Sequence, residues 1–195
     1  MNFDLTREQQ AVQKMIREFA EKEVKPIAAD IDISEEFPME NFQKLVKYGV
    51  IGMNMPVEYG GSGADDVAYA IAVEELSKVC ASTGVIVASH NSLACWPILK
   101  YGTEEQKRKY LPQLTGGKIG AFGLTEPNAG TDAAGQQTTA VLEGDHYVLN
   151  GSKIFITNGG VADIYVIFAM TDKSKGTRGG VSAFIVESTF PGFSR

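Results

Sequence analysis

The feature that most constrains this chain is a change in hydrophobic period close to position 117. Before it, apolar residues recur every three or four positions; after it they alternate or gather in short runs. One period throughout would fit a helical bundle or a β-sandwich, whereas a switch demands two structural regimes in succession. The Gly116-Gly117 pair marks the change, and 12 of the 21 glycines follow it. Charge divides as well, with 12 basic and 17 acidic residues before position 118 and 6 and 7 from there on. The pattern predicts an α+β protein: an N-terminal all-helical domain over residues 1–117, followed by an antiparallel β domain over residues 118–195.

Local signals place the elements. Thr6-Arg7-Glu8-Gln9 has the form of a capping box, and Val12, Ile16, Phe19, Ala20 and Ile27 then recur at helical spacing, which predicts one long helix from Thr6 to Asp30. Further helices are expected over Met39–Tyr48, Val67–Cys80 and Ser82–Tyr101. A second capping box, Thr103-Glu104-Glu105-Gln106, opens a short helix that ends before Gly116. Strands are expected over Ile119–Leu124, Thr138–Leu142, His146–Leu149, Ile154–Thr157, Ile164–Met170 and Val181–Val186. Asn150-Gly151 falls between two of these runs and predicts a type I′ hairpin turn, because both turn residues must take positive φ. The chain stops at Pro191-Gly192-Phe193-Ser194-Arg195, directly after a strand, which predicts an unfinished sheet and a further C-terminal portion.

Composition narrows the function. A net charge of −6 without long blocks of like charge argues against nucleic acid or an anionic membrane as partner. No apolar run approaches the roughly 20 residues of a membrane span, and Met1-Asn2-Phe3-Asp4 lacks the features of a leader, so a cytoplasmic protein is expected. Cys80 and Cys95 lie in apolar helical stretches away from any histidine cluster, which predicts buried free thiols and no metal site. His90 and His146 are isolated from one another in sequence. No G-x-G-x-x-G and no P-loop motif is present, so the usual nicotinamide and nucleotide-triphosphate folds are disfavoured.

Two segments carry chemistry. Phe122-Gly123-Leu124-Thr125-Glu126-Pro127-Asn128-Ala129-Gly130-Thr131-Asp132 runs from a strand end into turn formers and small hydroxyl residues, a supply of free N–H and O–H groups suited to a polar ring edge or a phosphate. An ordinary solvated turn fits the same residues. In Asn150-Gly151-Ser152-Lys153-Ile154-Phe155-Ile156-Thr157-Asn158-Gly159-Gly160, a strand would set Phe155 and Thr157 on one face, an aromatic platform beside a hydroxyl donor. Phe155 as a core residue is the competing reading. Lys173, Lys175 and Arg178 form a small basic loop, either solvated or attracting phosphate.

These two segments, behind Glu58-Tyr59-Gly60-Gly61-Ser62-Gly63 and Tyr101-Gly102-Thr103-Glu104-Glu105-Gln106-Lys107, resemble the acyl-CoA dehydrogenase family, with the nearest likeness to bacterial short-chain (butyryl-CoA) dehydrogenases. The paired motifs G-L-T-E-P-x-A-G-[ST]-D and K-x-[FW]-I-T-N are far more specific together than either alone. The resemblance implies FAD as cofactor, acyl-CoA as substrate, an electron-transfer flavoprotein as acceptor and a homotetramer. It also implies that Phe122, Gly123, Leu124, Thr125, Gly130, Thr131, Phe155, Ile156 and Thr157 contact the flavin. Thr125 would bond the pyrimidine side, Phe155 would pack on the ring where relatives often carry Trp, Thr157 would donate to N5, and Thr131 would also touch the CoA moiety. The family's catalytic glutamate lies beyond Arg195, so no catalytic residue is expected in this chain, and Glu126 is read as a turn carboxylate. Medium-chain relatives carry one more residue between Val85 and Asn91, which implies a shallower acyl pocket here. An enoyl-CoA reductase working in reverse, or a non-catalytic interaction module of the same shell, are the alternatives.

Overall fold

The computed structural model describes residues 4–176 and 178–195; the reading of the extreme N-terminus as free of a leader rests partly on residues outside that range. The chain divides between Lys118 and Ile119 into two compact units. Among the described residues no helix is long and apolar enough to cross a membrane.

The first unit is helical: α1 (Arg7–Phe19), α2 (Ala28–Ser34), α3 (Met39–Lys47), α4 (Asp66–Ser77), α5 (Ala81–Ala88), α6 (Trp96–Tyr101) and α7 (Glu104–Thr115). Both capping boxes form. Thr6 Oγ1 accepts from Gln9 N while Gln9 Oε1 accepts from Thr6 N, and Thr103 and Gln106 repeat the arrangement at α7. Gln9 does more, because its Nε2 donates at 2.9 Å to Asp65, whose other oxygen caps α4 by accepting from Ala68 N at 2.7 Å. One glutamine thus ties the start of α1 to the start of α4. Further along the same pair of helices, Arg17 forks onto buried Glu75 with two bonds of 2.9 Å. Ile16, Phe19, Leu45, Leu76, Val87, Leu111 and Leu114 fill the space between helices.

The two longest expected helices are real in extent but not continuous α-helix. Between α1 and α2 lie a π turn, Ala20–Val24, and a 3₁₀ turn, Lys25–Ile27; between α5 and α6 lies a second π segment, Ser89–Cys95. Each π segment ends two residues before a proline, Pro26 in one case and Pro97 in the other. A proline lacks the N–H that would bond four residues back, and its ring presses on that carbonyl, so a wider preceding turn relieves the clash. At the first of these turns a side chain from elsewhere takes up a backbone group, whereas in the second the segment's own side chain reaches out to the loop after α3. Asn41, itself buried, donates to Glu23 O at 2.9 Å. Asn91, fully buried in the second π segment, donates to Val50 O at 3.0 Å and accepts from Gly52 N at 2.7 Å. Cys80 and Cys95 are both free and buried.

The second unit is a five-stranded sheet: β1 (Gly120–Gly123), β2 (Thr139–Glu143), β3 (His146–Asn150), β4 (Ile164–Met170) and β5 (Val181–Glu187). β4 is central and its apolar run is largely buried. The expected antiparallel domain is in fact a mixed sheet. β5 and β4 are antiparallel, as are β2 and β3, but β1 runs parallel to β4, and β2 meets β4 in parallel at Thr139 and Met170. The parallel β1–β4 pair is possible because residues 124–163 separate the two strands, ample for a crossover, and period-two patterning carries no information on strand direction.

Two local expectations fail for identifiable reasons. The hairpin turns at Gly144-Asp145, where Gly144 has φ +65°, and not at Asn150-Gly151. Gly151 serves a close approach instead, since a Cβ there would lie 2.3 Å from Thr138 Oγ1 and 2.7 Å from Thr138 Cα. Residues 154–157 form no strand, because Phe155 adopts φ +57°, a left-handed conformation that breaks the pleat.

Replacing Asn91 by Ala strands Gly52 N without a partner in a dry interior and leaves Val50 O with only its bond from Met53 N, at a cost of about 1–3 kcal/mol. Urea unfolding of Asn91→Ala is expected to show a midpoint lowered accordingly; a loss under about 0.5 kcal/mol would mean that solvent reaches these groups.

Candidate functional site

The site is built where the loop after β1 meets the segment after β3. Pro127 and Asn128 turn the chain so that Glu126 and Ala129 exchange backbone bonds of 3.0 and 3.1 Å. This tight turn folds Glu126 inward, and its side chain is only 5% exposed. Lys153 comes from the other segment with a side chain 8% exposed, and its ammonium lies 2.7 Å from Glu126 Oε1. The same ammonium donates to Leu124 O at 3.0 Å and to Gln136 Oε1 at 3.2 Å, so each of its three protons has an acceptor. Glu126 in turn accepts from the backbone N–H groups of Gln137 and Thr138. Ile154 N–H completes the join by donating to Thr125 O at 2.9 Å.

Burial alone would push the Glu126 carboxyl up; the Gln137 N–H, the Lys153 ammonium and Thr138 outweigh it and hold the carboxyl at about 2, below its ordinary 4.5. Glu126 is therefore an ionised structural anchor. It is a carboxylate in a turn before Pro127, as expected, but one enclosed by protein where a solvated turn was the simple reading.

The other segment is fastened at its far end too. Asn158, with φ +66°, donates to Gly120 O at 3.1 Å, Gly159 N bonds Ile156 O at 2.8 Å, and the Tyr165 hydroxyl donates to Gly159 O at 2.6 Å. Between the Lys153 and Asn158 anchors, Phe155 is held outward with 87% of its surface exposed. A large aromatic residue that is both exposed and left-handed spends conformational energy without a burial gain inside this chain, the signature of a position set by something other than packing. The reading of Phe155 as core is excluded.

The remaining expected site residues fall as follows. Leu124 and Thr125 are half-buried at the junction of the two segments, and Gly123 is buried beneath it. Phe122 is half-buried and packs on Phe168 of β4, ring centroids 5.1 Å apart. Ile156 and Thr157 are half-buried; Gly130 and Thr131 are exposed on the outer part of the loop. Phe155 and Thr157 do not share a strand face. In the basic loop, Lys175 pairs with Asp172 at 3.2 Å, Arg178 is exposed, and Lys173 lines a surface concavity with Gln136, Gln137 and Met170. Sequence reasoning passed over Lys153. Its only signal was a cation immediately before the apolar run Ile154-Phe155-Ile156, a position that a solvated lysine fills as well as a buried one.

The donor inventory suits a planar ring with polar edges. Among the described residues the N–H groups of Thr125, Phe155, Ile156 and Thr157 and the hydroxyls of Thr125, Thr131 and Thr157 have no hydrogen-bond partner, and the Phe155 ring stands open beside them. A planar ring with polar edges needs donors along an edge and an apolar surface against a face, and these residues offer both kinds of group.

Comparison with known proteins agrees with this organisation. The acyl-CoA dehydrogenase N-terminal domain matches residues 6–118 and the acyl-CoA dehydrogenase middle domain matches residues 121–195. The chain belongs to the acyl-CoA dehydrogenase family. It is 66% identical, over all 195 residues, to the short-chain specific acyl-CoA dehydrogenase of Clostridium acetobutylicum and covers 51% of that protein. Butyryl-CoA dehydrogenase from Megasphaera elsdenii superposes with a TM-score of 0.93 at 49% identity, over 98% of this chain and 51% of that one. A chain in the structure of the electron transferring flavoprotein of Acidaminococcus fermentans superposes with a TM-score of 0.95 at 53% identity, over 98% of this chain and 50% of that one. The chain thus spans about half the length of the relatives it matches.

The lowered Glu126 carboxyl has a consequence for stability. Its contribution is fully present above the ordinary value of 4.5 and is lost as pH falls toward about 2. Glu126→Gln, which leaves Lys153 without a counter-charge, is expected to cost about 3 kcal/mol at pH 7 and to flatten the decline of the urea midpoint between pH 4.5 and 2. Parent and variant profiles running parallel through that range would disprove the coupling.

Proposed function

We propose that this chain forms the flavin-holding and acyl-CoA-holding front portion of an FAD-dependent short-chain acyl-CoA dehydrogenase. The observation that carries the reading is the junction of the two motif segments, fastened by Lys153 to Leu124 O and by Ile154 N–H to Thr125 O, with unpartnered donors and an exposed aromatic ring on the segments it joins. FAD supplies the acceptor for the β-hydride as an acyl-CoA thioester loses its α-proton and becomes the trans-2-enoyl-CoA. Thr125, through its N–H and hydroxyl, holds the pyrimidine edge. Phe155 covers one face of the ring and excludes water from it. Thr157 donates its hydroxyl to N5, and Thr131 reaches both the cofactor and the CoA chain. The α-proton goes to a carboxylate on the opposite side of the Cα–Cβ bond, in the portion of the relatives that lies outside the matched residues. An electron-transfer flavoprotein as acceptor and a homotetrameric assembly accompany this reading.

The test of the roles is made at the full length of the relatives. Donation to N5 strengthens as electrons arrive there, so Thr157→Ala is expected to slow flavin bleaching by butyryl-CoA about 10- to 150-fold, equivalent to roughly 1.5–3 kcal/mol, while changing the substrate dissociation constant by less than about threefold. An unchanged bleaching rate with weakened substrate binding would contradict the assignment.

Chain length is expected to follow the α5–α6 region, where the interval from Val85 to Asn91 lacks the additional residue of medium-chain relatives and passes into the π segment at Ser89. Each methylene buried adds roughly 0.8 kcal/mol until the tail meets the wall. The value of kcat/KM should therefore peak at butyryl-CoA or hexanoyl-CoA and fall by octanoyl-CoA. A maximum at octanoyl-CoA or longer would rule out the short-chain reading and leave the family membership untouched.

A further inference from the structure

Lys153 touches none of the residues expected to contact flavin through a side chain, yet it sits behind them. Its ammonium is bonded to a backbone carbonyl, Leu124 O, as well as to the Glu126 carboxylate and the Gln136 amide. In a trans peptide the C=O and the following N–H point in opposite directions. Holding Leu124 O toward Lys153 therefore aims the N–H of Thr125 the other way, and that N–H has no partner among the described residues. The neighbouring residue on the same segment repeats the logic, because Ile154 N–H is spent on Thr125 O while the next three N–H groups, those of Phe155, Ile156 and Thr157, stay unspent. A purely stabilising contact between the segments would call for apolar side chains, since a buried ion pair is a poor source of stability compared with a well-packed apolar pair. A buried cation with three fixed acceptors supplies direction instead.

We propose that Lys153 is the positioning residue of the flavin site: by locking the Leu124 carbonyl and the Glu126 turn it aims the Thr125 amide and registers the Phe155–Thr157 amides against it. This rests on the flavin reading above. Glu126 and Gln136 are its supports, the first by charge and the second by filling the last proton of the ammonium.

The test has two parts. In this chain, amide hydrogen exchange is expected to find Ile154 protected at least 10-fold over Phe155, Ile156 and Thr157. Equal exchange at all four would overturn the proposal whether or not flavin binds. At the full length of the relatives, Lys153→Met and the double variant Glu126→Gln/Lys153→Met are titrated with FAD. The double variant removes the charge imbalance while the Gln oxygen still accepts from the Gln137 or Thr138 N–H, so it is the folded control for the less stable single variant. FAD affinity is expected to drop at least 10-fold in the double variant, with a shifted flavin absorption band, at a melting temperature close to the parent's. Parental affinity and spectrum in the folded double variant would reduce Lys153 to a structural role and overturn the proposal. Failure of the parent itself to bind FAD would overturn the flavin reading, and the exchange pattern at Ile154 would still decide whether Lys153 orders the two segments.

Discussion

The salt bridge between Lys153 and Glu126 organises the second unit. At 2.7 Å, with side chains 8% and 5% exposed, it joins the loop after β1, the approach to β2 and the segment after β3. No strand pairing joins β1 directly to β2 or β3: β1 is bonded to β4, while β2 and β3 are bonded to each other. Remove the pair and the sheet could persist, but the two loops that carry the unpartnered donors would lose their common anchor. The cost of burying two charges is met by completeness, since all three ammonium protons and both carboxylate oxygens are engaged.

The helical unit was legible in the sequence wherever a local chemical signal fixes an end. Thr6 and Thr103 cap as their Thr-x-x-Gln spacing requires, and the helix ends near Gly49 and Gly116 follow from residues that cannot continue α-helix cheaply. The π segments were not legible, because apolar spacing of three to four residues tolerates one wide turn without losing its stripe. Pro26 and Pro97 were the available clue. Pro112 shows why the clue is incomplete, for it sits inside α7 near the C-terminal end with no wide turn before it.

In the β unit, element existence was readable and element pairing was not. The runs 119–124, 138–142, 146–149, 164–170 and 181–186 all became strands, yet the same alternation serves a parallel neighbour as well as an antiparallel one. Asn150-Gly151 misled because glycine answers needs other than a hairpin turn, and here Gly151, at φ +157°, makes room for the close approach of Thr138. Phe155 misled for the opposite reason. Its type favours a strand, and only the bonds at Lys153, Ile154 and Asn158 force it out of one. Roles for Thr125, Phe155 and Thr157 therefore came from motif resemblance, whereas their surroundings came from tertiary bonds that no local pattern encodes.

That division explains why the strained residue and the buried ion pair occur together. A left-handed phenylalanine with 87% of its surface exposed has no packing to hold it, so its conformation must be imposed from the flanks. Apolar flanks could press the segment into place but are non-directional, and would tolerate a rotation of each peptide group. Hydrogen bonds to the Leu124 and Thr125 carbonyls do not tolerate it, because turning either peptide would break a bond to a half-buried acceptor at a cost of about 1 kcal/mol. Directional bonds at Lys153, Ile154 and Asn158 thus fix the backbone on both sides of the exposed Phe155 ring, and a segment ordered in this way within the chain need not be ordered at the expense of a binding event.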